Sequence, residues 1–257
     1  MKNANSVIPQ RTSASAIVLM SIIALGATAG RSGTDKPHSD LTVNRRSIHL
    51  GEAAELSWNM TGSNRAFLSH VGAVKNIGSE DVRPEQTTTY TLLADTPSGL
   101  IARSITVEVV NGRRGDEFSL NTEDFRYPRT ATTKVSFIDL AVQVHSVLQD
   151  EMHLSVKRVE YDPDRARLVF LTSLAKDERL MKPSESKIGS RRVAYLVTIE
   201  HGVQDGTLDY TVKTLVEYRL RIEETWRPEQ AEDLYTSSGD DVRHRIDSDL
   251  KSQELKK

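Results

Sequence analysis

Thr207-Leu-Asp-Tyr-Thr-Val-Lys-Thr-Leu-Val-Glu-Tyr-Arg-Leu-Arg-Ile-Glu223 is the stretch whose reading decides the fold. Leu208, Tyr210, Val212, Val216, Tyr218, Leu220 and Ile222 share one parity, interrupted only by Thr214. Asp209, Lys213, Glu217, Arg219 and Arg221 share the other, with Leu215 the one apolar exception. Side chains alternate across a strand, so the pattern predicts one long strand with an apolar and a charged face. The apolar face needs a cover, and amphipathic helical patterns lie on both sides of it.

Working upstream, Val193, Tyr195, Val197 and Ile199 alternate, and Val203-Gln-Asp-Gly206 supplies a turn into the long strand. Met152, Leu154 and Val156 alternate before Tyr161-Asp-Pro-Asp-Arg165, which has hairpin-turn chemistry, and Leu168–Thr172 returns from it. Residues 175–190 are charged, hold Pro183 and Gly189, and read as an exposed loop. Phe118–Leu120 reads as a short strand. Between Thr130 and Gln149 the period changes: Val135, Ile138, Ala141, Val142, Val144 and Leu148 fit one face of a helix capped by Thr132 or Thr133. Downstream, Ala231, Leu234, Tyr235, Val242, Ile246 and Leu250 predict a second helix. It would begin at Arg227-Pro228, with Gly239 dividing it and Lys251–Lys257 fraying. Residues 118–257 therefore read as an α+β domain: helix, four antiparallel strands, C-terminal helix, with the helices on one sheet face.

Residues 41–110 have a different texture. Leu41–Val43, Ser47–Leu50, Ala54–Trp58, Arg65–Ser69, Thr87–Ala94 and Ala102–Val109 are short alternating runs. Turn residues such as Gly78-Ser79 and Asp95–Gly99 separate them. This spacing argues a β-sandwich, with Trp58 and Tyr90 pointing inward as core aromatics. Residues 111–117, Asn-Gly-Arg-Arg-Gly-Asp-Glu, read as the linker. Its Arg114-Gly115-Asp116 matches integrin-binding loops only as a chance tripeptide in a polar hinge.

The order Gly51-Glu52, Leu56-Ser-Trp58, Pro84, Thr87-Thr-Thr-Tyr-Thr-Leu92, Ala94, Gly99 and Thr106–Val109 resembles bacterial immunoglobulin-like domains of envelope and secreted proteins. Asn44-Arg45 stands where those domains usually carry a proline. The resemblance covers about 70 residues and implies a spacer or interaction module. The C-terminal part resembles, by topology and by Glu224–Glu229 ahead of the last helix, helix-grip-like domains of bacterial outer-membrane lipoproteins. No residue-level motif accompanies that likeness, so it implies no site residue. The expected fold class is thus two-domain: an all-β immunoglobulin-like sandwich followed by an α+β domain, each closing its own core.

The N-terminus places the protein. Lys2 and Arg11 precede an apolar run, Ala16–Ala27, and Ala27-Thr28-Ala29 offers small residues for cleavage. This is the composition of a secretory signal peptide, 1–29, too short for a membrane span of roughly 20 residues. No transmembrane span is expected after its removal. Residues 30–40 read as a flexible start. With 34 basic against 36 acidic residues the net charge is −2, which gives no pull toward nucleic acid. There is no cysteine, which excludes disulfides, thiolate metal sites, a Cys nucleophile and a lipidated N-terminal cysteine.

A reactive centre is not in view. His38, His49, His70, His145, His153, His201 and His244 include no i, i+4 pair and no His-Glu-x-x-His. His145 and His153 are near enough in sequence to converge, and a buried or surface role is expected for each. Asp162 and Asp164 flank a proline and read as turn formers rather than calcium ligands. Asp240, Asp241, Asp247 and Asp249 read as a solvated helix face. If the last two strands pair through Asp205-Gly206, Arg192 falls opposite Arg219, near Arg221, among Glu200, Glu217 and Glu223, as a salt-bridged outer face. Asn59-Met-Thr61 matches a glycosylation sequon of little weight in a bacterial setting. No catalytic, cofactor-binding or metal residue is assigned and no cofactor is expected. The expected role is an exported, non-catalytic envelope component that binds other envelope proteins. The alternative is a module for carbohydrate or peptidoglycan. An enzyme would need a buried pocket joining His145 or His153 to carboxylates of the sheet.

Overall fold

The structure, a computed structural model, describes residues 39–63, 65–97, 99–110, 120–181 and 187–254. The leader, the 111–117 linker and its Arg-Gly-Asp lie outside the described residues. In chain order the first eight strands are β1 (Ser39–Val43), β2 (Ser47–His49), β3 (Ala54–Met60), β4 (Arg65–Leu68), β5 (Gly72–Val74), β6 (Ile77–Val82), β7 (Thr88–Thr96) and β8 (Gly99–Val110). Then follow β9 (Arg126–Thr133), α1 (Phe137–Ser146), β10 (Val156–Asp162), β11 (Arg167–Thr172), β12 (Ala175–Lys176), β13 (Ile188–His201), β14 (Leu208–Leu220), β15 (Arg227–Pro228) and α2 (Glu232–Glu254). The described residues are mostly β, in three sheets.

Two sheets, β1-β3-β6 and β2-β8-β7-β4-β5, face each other as a sandwich. Leu56, Trp58 and Met60 from one sheet pack with Leu68, Tyr90 and Leu92 from the other. The Trp58 indole N–H donates to the Lys75 carbonyl at 2.8 Å, so the buried ring leaves no polar atom unmet. Gly78, expected in a turn, lies inside β6 instead. Its reason is steric: a Cβ there would sit 2.9 Å from the Trp58 ring.

The five-stranded sheet is apolar on both faces around β4 and the end of β7. Ala66 and Leu68 point into the sandwich, while Phe67 between them joins a second core. Leu92 and Ala94 point inward too, and Leu93, directly opposite Phe67, points away. Phe67 meets Phe170 of β11 edge-on, ring centroids 6.0 Å apart. The two halves of the chain therefore share this second core, where each was expected to close its own.

α1 fills the space between. Ser136 caps it, its hydroxyl accepting from the Asp139 N–H at 3.1 Å. Phe137, Ile138, Leu140, Ala141, Gln143, Val144 and His145 are all buried, as expected of a helix covered over most of its surface. It touches β4, β5 and β7 as well as β13 and α2. Asp95 of β7 bonds the Ser136 hydroxyl and the Ile138 N–H at the positive end of the helix, and Arg65 pairs with Asp139. The helix expected from Thr130 thus starts later. Arg126–Thr133 form β9, paired with β14, because β-branched Thr130, Thr132 and Thr133 alternate on a pleated surface that favours them.

The third sheet runs β10-β11-β13-β14. β9 and β15 share the far side of β14, and β12 pairs with β13. Tyr195, Val197, Ile199, Tyr210, Val212 and Val216 face the helices, as the alternation of the long strand requires. Leu215 belongs to a small core on the opposite face with Phe125, Leu171, Ala194 and Leu196. Thr214, the break in the apolar parity, sits under α2 at Gly239. A Cβ on Gly239 would lie 3.1 Å from the Thr214 hydroxyl and from Arg129. Gly239 therefore does not divide the helix, which is continuous; it lets helix and sheet approach. Pro228 belongs to β15, and the helix begins at Glu232.

Where it is described, the 175–190 stretch is not simply an exposed loop: β12 and a 3-10 turn at Glu178–Leu180 fold back, burying Leu180 and Asp177. Beneath them Arg191, 1 % exposed at its side chain, donates to Glu229 at 2.9 Å and to the Leu180 carbonyl at 2.8 Å. Nor are the α2 aspartates a solvated face. Arg129 bonds Asp240, and Arg243 bonds Asp247 at 3.1 Å, where the Tyr210 hydroxyl also donates. On the other flank Asp241 holds Arg179 at 2.8 Å and Arg245 at 3.2 Å, while Gln143 donates to Asp249 at 2.6 Å.

Candidate interaction site

β10 is an edge of the third sheet. Among the described residues no strand pairs with its outer side. Its start is pinned by the turn after β4. There the Ser69 N–H donates to the Thr91 carbonyl at 2.9 Å, and the Ser69 hydroxyl accepts from the Thr91 N–H at 2.8 Å. This clamp presents His70, whose φ of +65° is a conformation that non-glycine residues seldom adopt. The His70 ring hydrogen-bonds the backbone of Val156 at the head of β10 and rests edge-on against Tyr90, centroids 5.7 Å apart.

Two open clefts flank this contact. One, of about 560 Å³, is lined by His70, Glu85, Gln86, Tyr90, Ser155 and Lys157, among others. The other, of about 350 Å³, lies along the outer face of β7 and β8, where Thr89 pairs with Thr106 at 2.9 Å and Thr91 with Ser104 at 3.0 Å. Lys157, Arg158, Glu160 and Tyr161 of β10 form its other wall. Hydroxyls dominate the floor and charges of both signs the rim. Burial pushes the Tyr90 phenol up to about 12, so it is a neutral hydroxyl at the cleft wall.

His145 stands behind His70, in the last turn of α1. Its ring meets Phe67 edge-on at 5.5 Å, and its Nδ1 lies 3.5 Å from where a Cβ on Gly72 would be. Gly72, at φ +104°, is required by the backbone of the turn, and a Cβ there would meet His145 only at ordinary contact distance. His145 Nε2 is buried with no hydrogen-bond partner. Burial lowers the pKa of both histidines. Asp150 opposes this at His145 and the Val156 bond opposes it at His70, while His70 adds to it at His145 and Lys157 at His70.

The residues singled out from sequence fall as follows. His145 and His153 do not converge. His153 lines a separate cleft of about 380 Å³ with Glu151, Asp177, Arg179, Tyr195 and Arg245, in which both arginines are already held by carboxylates. Asp162 accepts from the Asp164 and Arg165 N–H groups at 3.1 and 3.3 Å, as a turn former does. Arg192 lies opposite Glu217, not Arg219, which falls opposite Ser190. The connection is longer than a two-residue Asp-Gly turn: Gly202 donates to the Thr207 carbonyl at 3.0 Å, and the register moves accordingly. The face is salt-bridged all the same, Arg192 to Glu217 at 2.6 Å, with Arg192 and Arg219 at 4.3 and 5.3 Å from the Trp226 ring centre. Asn59 accepts from Thr61 within its own turn. Among the described residues no three His, Asp or Glu side chains gather as a metal site. His70 and the β10 edge had no local signal, since they are 86 positions apart from His70 to Val156. No family model matches the chain, and no curated protein matches it.

Proposed function

We propose that this is an exported, non-catalytic envelope protein. Its first part is an immunoglobulin-like module, and its β10 edge takes up an extended segment of another envelope protein. The single observation that carries this reading is the unpaired outer side of β10 beside two hydroxyl-lined clefts. An added strand would bond its backbone to β10 while its side chains reach the Thr89–Thr106 and Thr91–Ser104 rows. The apolar run and small residues at 16–29 support export, and a chain without cysteine suits a compartment where thiols oxidise. The test is photo-crosslinking in cells from a reactive side chain placed at Lys157, compared with one at Val203, a fully exposed position far along the chain. A defined envelope adduct from position 157 alone is expected. Equal yields, or adducts from 203 only, refute the edge as the docking site.

A second reading has its own support. Clefts rich in hydroxyls, with His70 and Tyr90 rings at one end, suit a cell-wall glycan. Retention on isolated cell wall, lost on Thr91→Val with Ser104→Ala, would favour glycan over protein.

A further inference from the structure

His145 is a buried titratable group that neither reading uses, and the half-buried His70 shares one joint with it. His145 is sealed between Phe67 and Gly72 of the sandwich and the body of α1. His70 ties the β4–β5 turn to the head of β10. Each ring therefore bears on the contact that sets where β10 lies against β7.

We infer that this joint is an acid-operated latch on the β10 edge, with His145 as the sensor and His70 as its link to Val156. The inference rests on the β10 reading above and names its regulation. A protonated His145 would carry two N–H donors into a space where Nε2 already lacks a partner. Around it, Phe67 and Gly72 offer an apolar wall. Asp150, the carboxylate whose charge acts on it, is itself exposed to water, and His70 is a second nascent cation. Facing His70 are Lys157 from β10, which opposes its charge, and Glu85 and Glu160 on the cleft rims. His70 would tolerate a proton better than His145, because the charged ring still donates to Val156 and this offsets part of its burial penalty. The imbalance therefore falls on His145, and relief comes by drawing the last turn of α1 away from β4–β5.

The sign follows from linkage. Both folded-state pKa values lie below the ordinary histidine value. The closed joint is thus fully stable above about pH 6.5 and is lost as the pH falls through the lowered values. Each unit of lowering becomes about tenfold in the opening equilibrium once the pH is below both values.

Hydrogen exchange on the full chain, corrected for intrinsic rates, tests this without any partner. Between pH 7.5 and 5.0, protection over residues 155–162 and the last turn of α1 is expected to fall tenfold or more, with β13 and β14 unchanged. His145→Leu should abolish most of that response. His70→Asn, which accepts the positive φ but loses the ring's bond to Val156, should keep the response in the last turn of α1 and lose most of it over residues 155–162. Unchanged protection in the wild type, or a full response in His145→Leu, overturns the latch. Should His145→Leu fail to fold, the His145 ring titrated by NMR in the wild type decides. Half-protonation below 6.5 supports the latch, and at or above 6.5 refutes it. A missing crosslink at Lys157 would count against docking at β10 and leave the latch standing.

Discussion

α1 and α2 lie against the same sheet and are held there by different forces. α1 is short and buried over most of its surface, between Phe67 and Leu93 of the sandwich and the inner face of the third sheet. α2 is longer and covered on one side only. Its apolar ridge of Leu234, Tyr235, Val242, Ile246 and Leu250 is flanked by two ladders of aspartate and arginine. A helix enclosed by two sheets gains from area alone, whereas a helix with one face in water recruits charge along its margins. The energetic consequence is unequal: area removed from water is a firm contribution, while half-exposed ion pairs are weak and sensitive to salt.

The contrast is broken hardest at its apolar side. Phe67→Ala removes a ring that touches both His145 and Phe170. It should cost about 3–5 kcal/mol in urea unfolding. It should also loosen α1, seen as faster hydrogen exchange over 137–146, and a local loss confined to β4 would contradict a shared core.

Next comes the buried ion pair. Arg191→Ala strands Glu229 at 10 % exposure beneath the 3-10 turn and should cost roughly 3–5 kcal/mol. Arg191→Met with Glu229→Leu should recover most of that loss, because removing both charges also removes their desolvation. If the double variant is no better than the single one, the pair is itself stabilising.

Gly239 gives a graded test of how closely α2 approaches. Gly239→Val, with contacts at 3.1 Å to Thr214 and Arg129, should cost about 1–3 kcal/mol. Gly239→Ala should be nearly neutral, its gain of about 1 kcal/mol in helix propensity offset by the tighter fit. Equal effects of the two, read by thermal melts, would mean the helix stands off from the sheet.

The smallest effect belongs to the charge ladders. Arg129, bonded to Asp240, holds that carboxyl below its ordinary range. Its contribution is therefore present above about pH 4 and lost as the pH falls through the lowered value. Asp240→Asn should flatten the acid limb of the stability curve slightly, and 1 M salt should erase the difference between variant and wild type.

Much of the third sheet was legible. The alternation of residues 207–223, with the Val193–Ile199 run before it, describes β14 and β13 because each strand has one dry face. The start of α1 was not, although Ser136 followed by Asp139 is a capping pattern. The Thr-rich stretch before it was absorbed into the helix when its partner, β14, lay some eighty residues away. Ala66-Phe-Leu68 and Leu92-Leu93 carried the signal of a sheet covered on both sides, since consecutive apolar residues fill both faces of a strand. The aspartates of α2 read alike whether paired or solvated, because Arg129 and Arg179 reach them only through the fold. The candidate site was illegible for the same reason: His70, Tyr90, Lys157 and His145 are ordinary residues until four elements bring them together.

Phe67 and Leu93 also bear on how the chain can be dissected. Excised on its own, the sandwich would carry an uncovered oily patch where α1 now lies, and light scattering should find it self-associating. It is not a portable cassette, and transplanting it onto another protein would require a substitute for that helix.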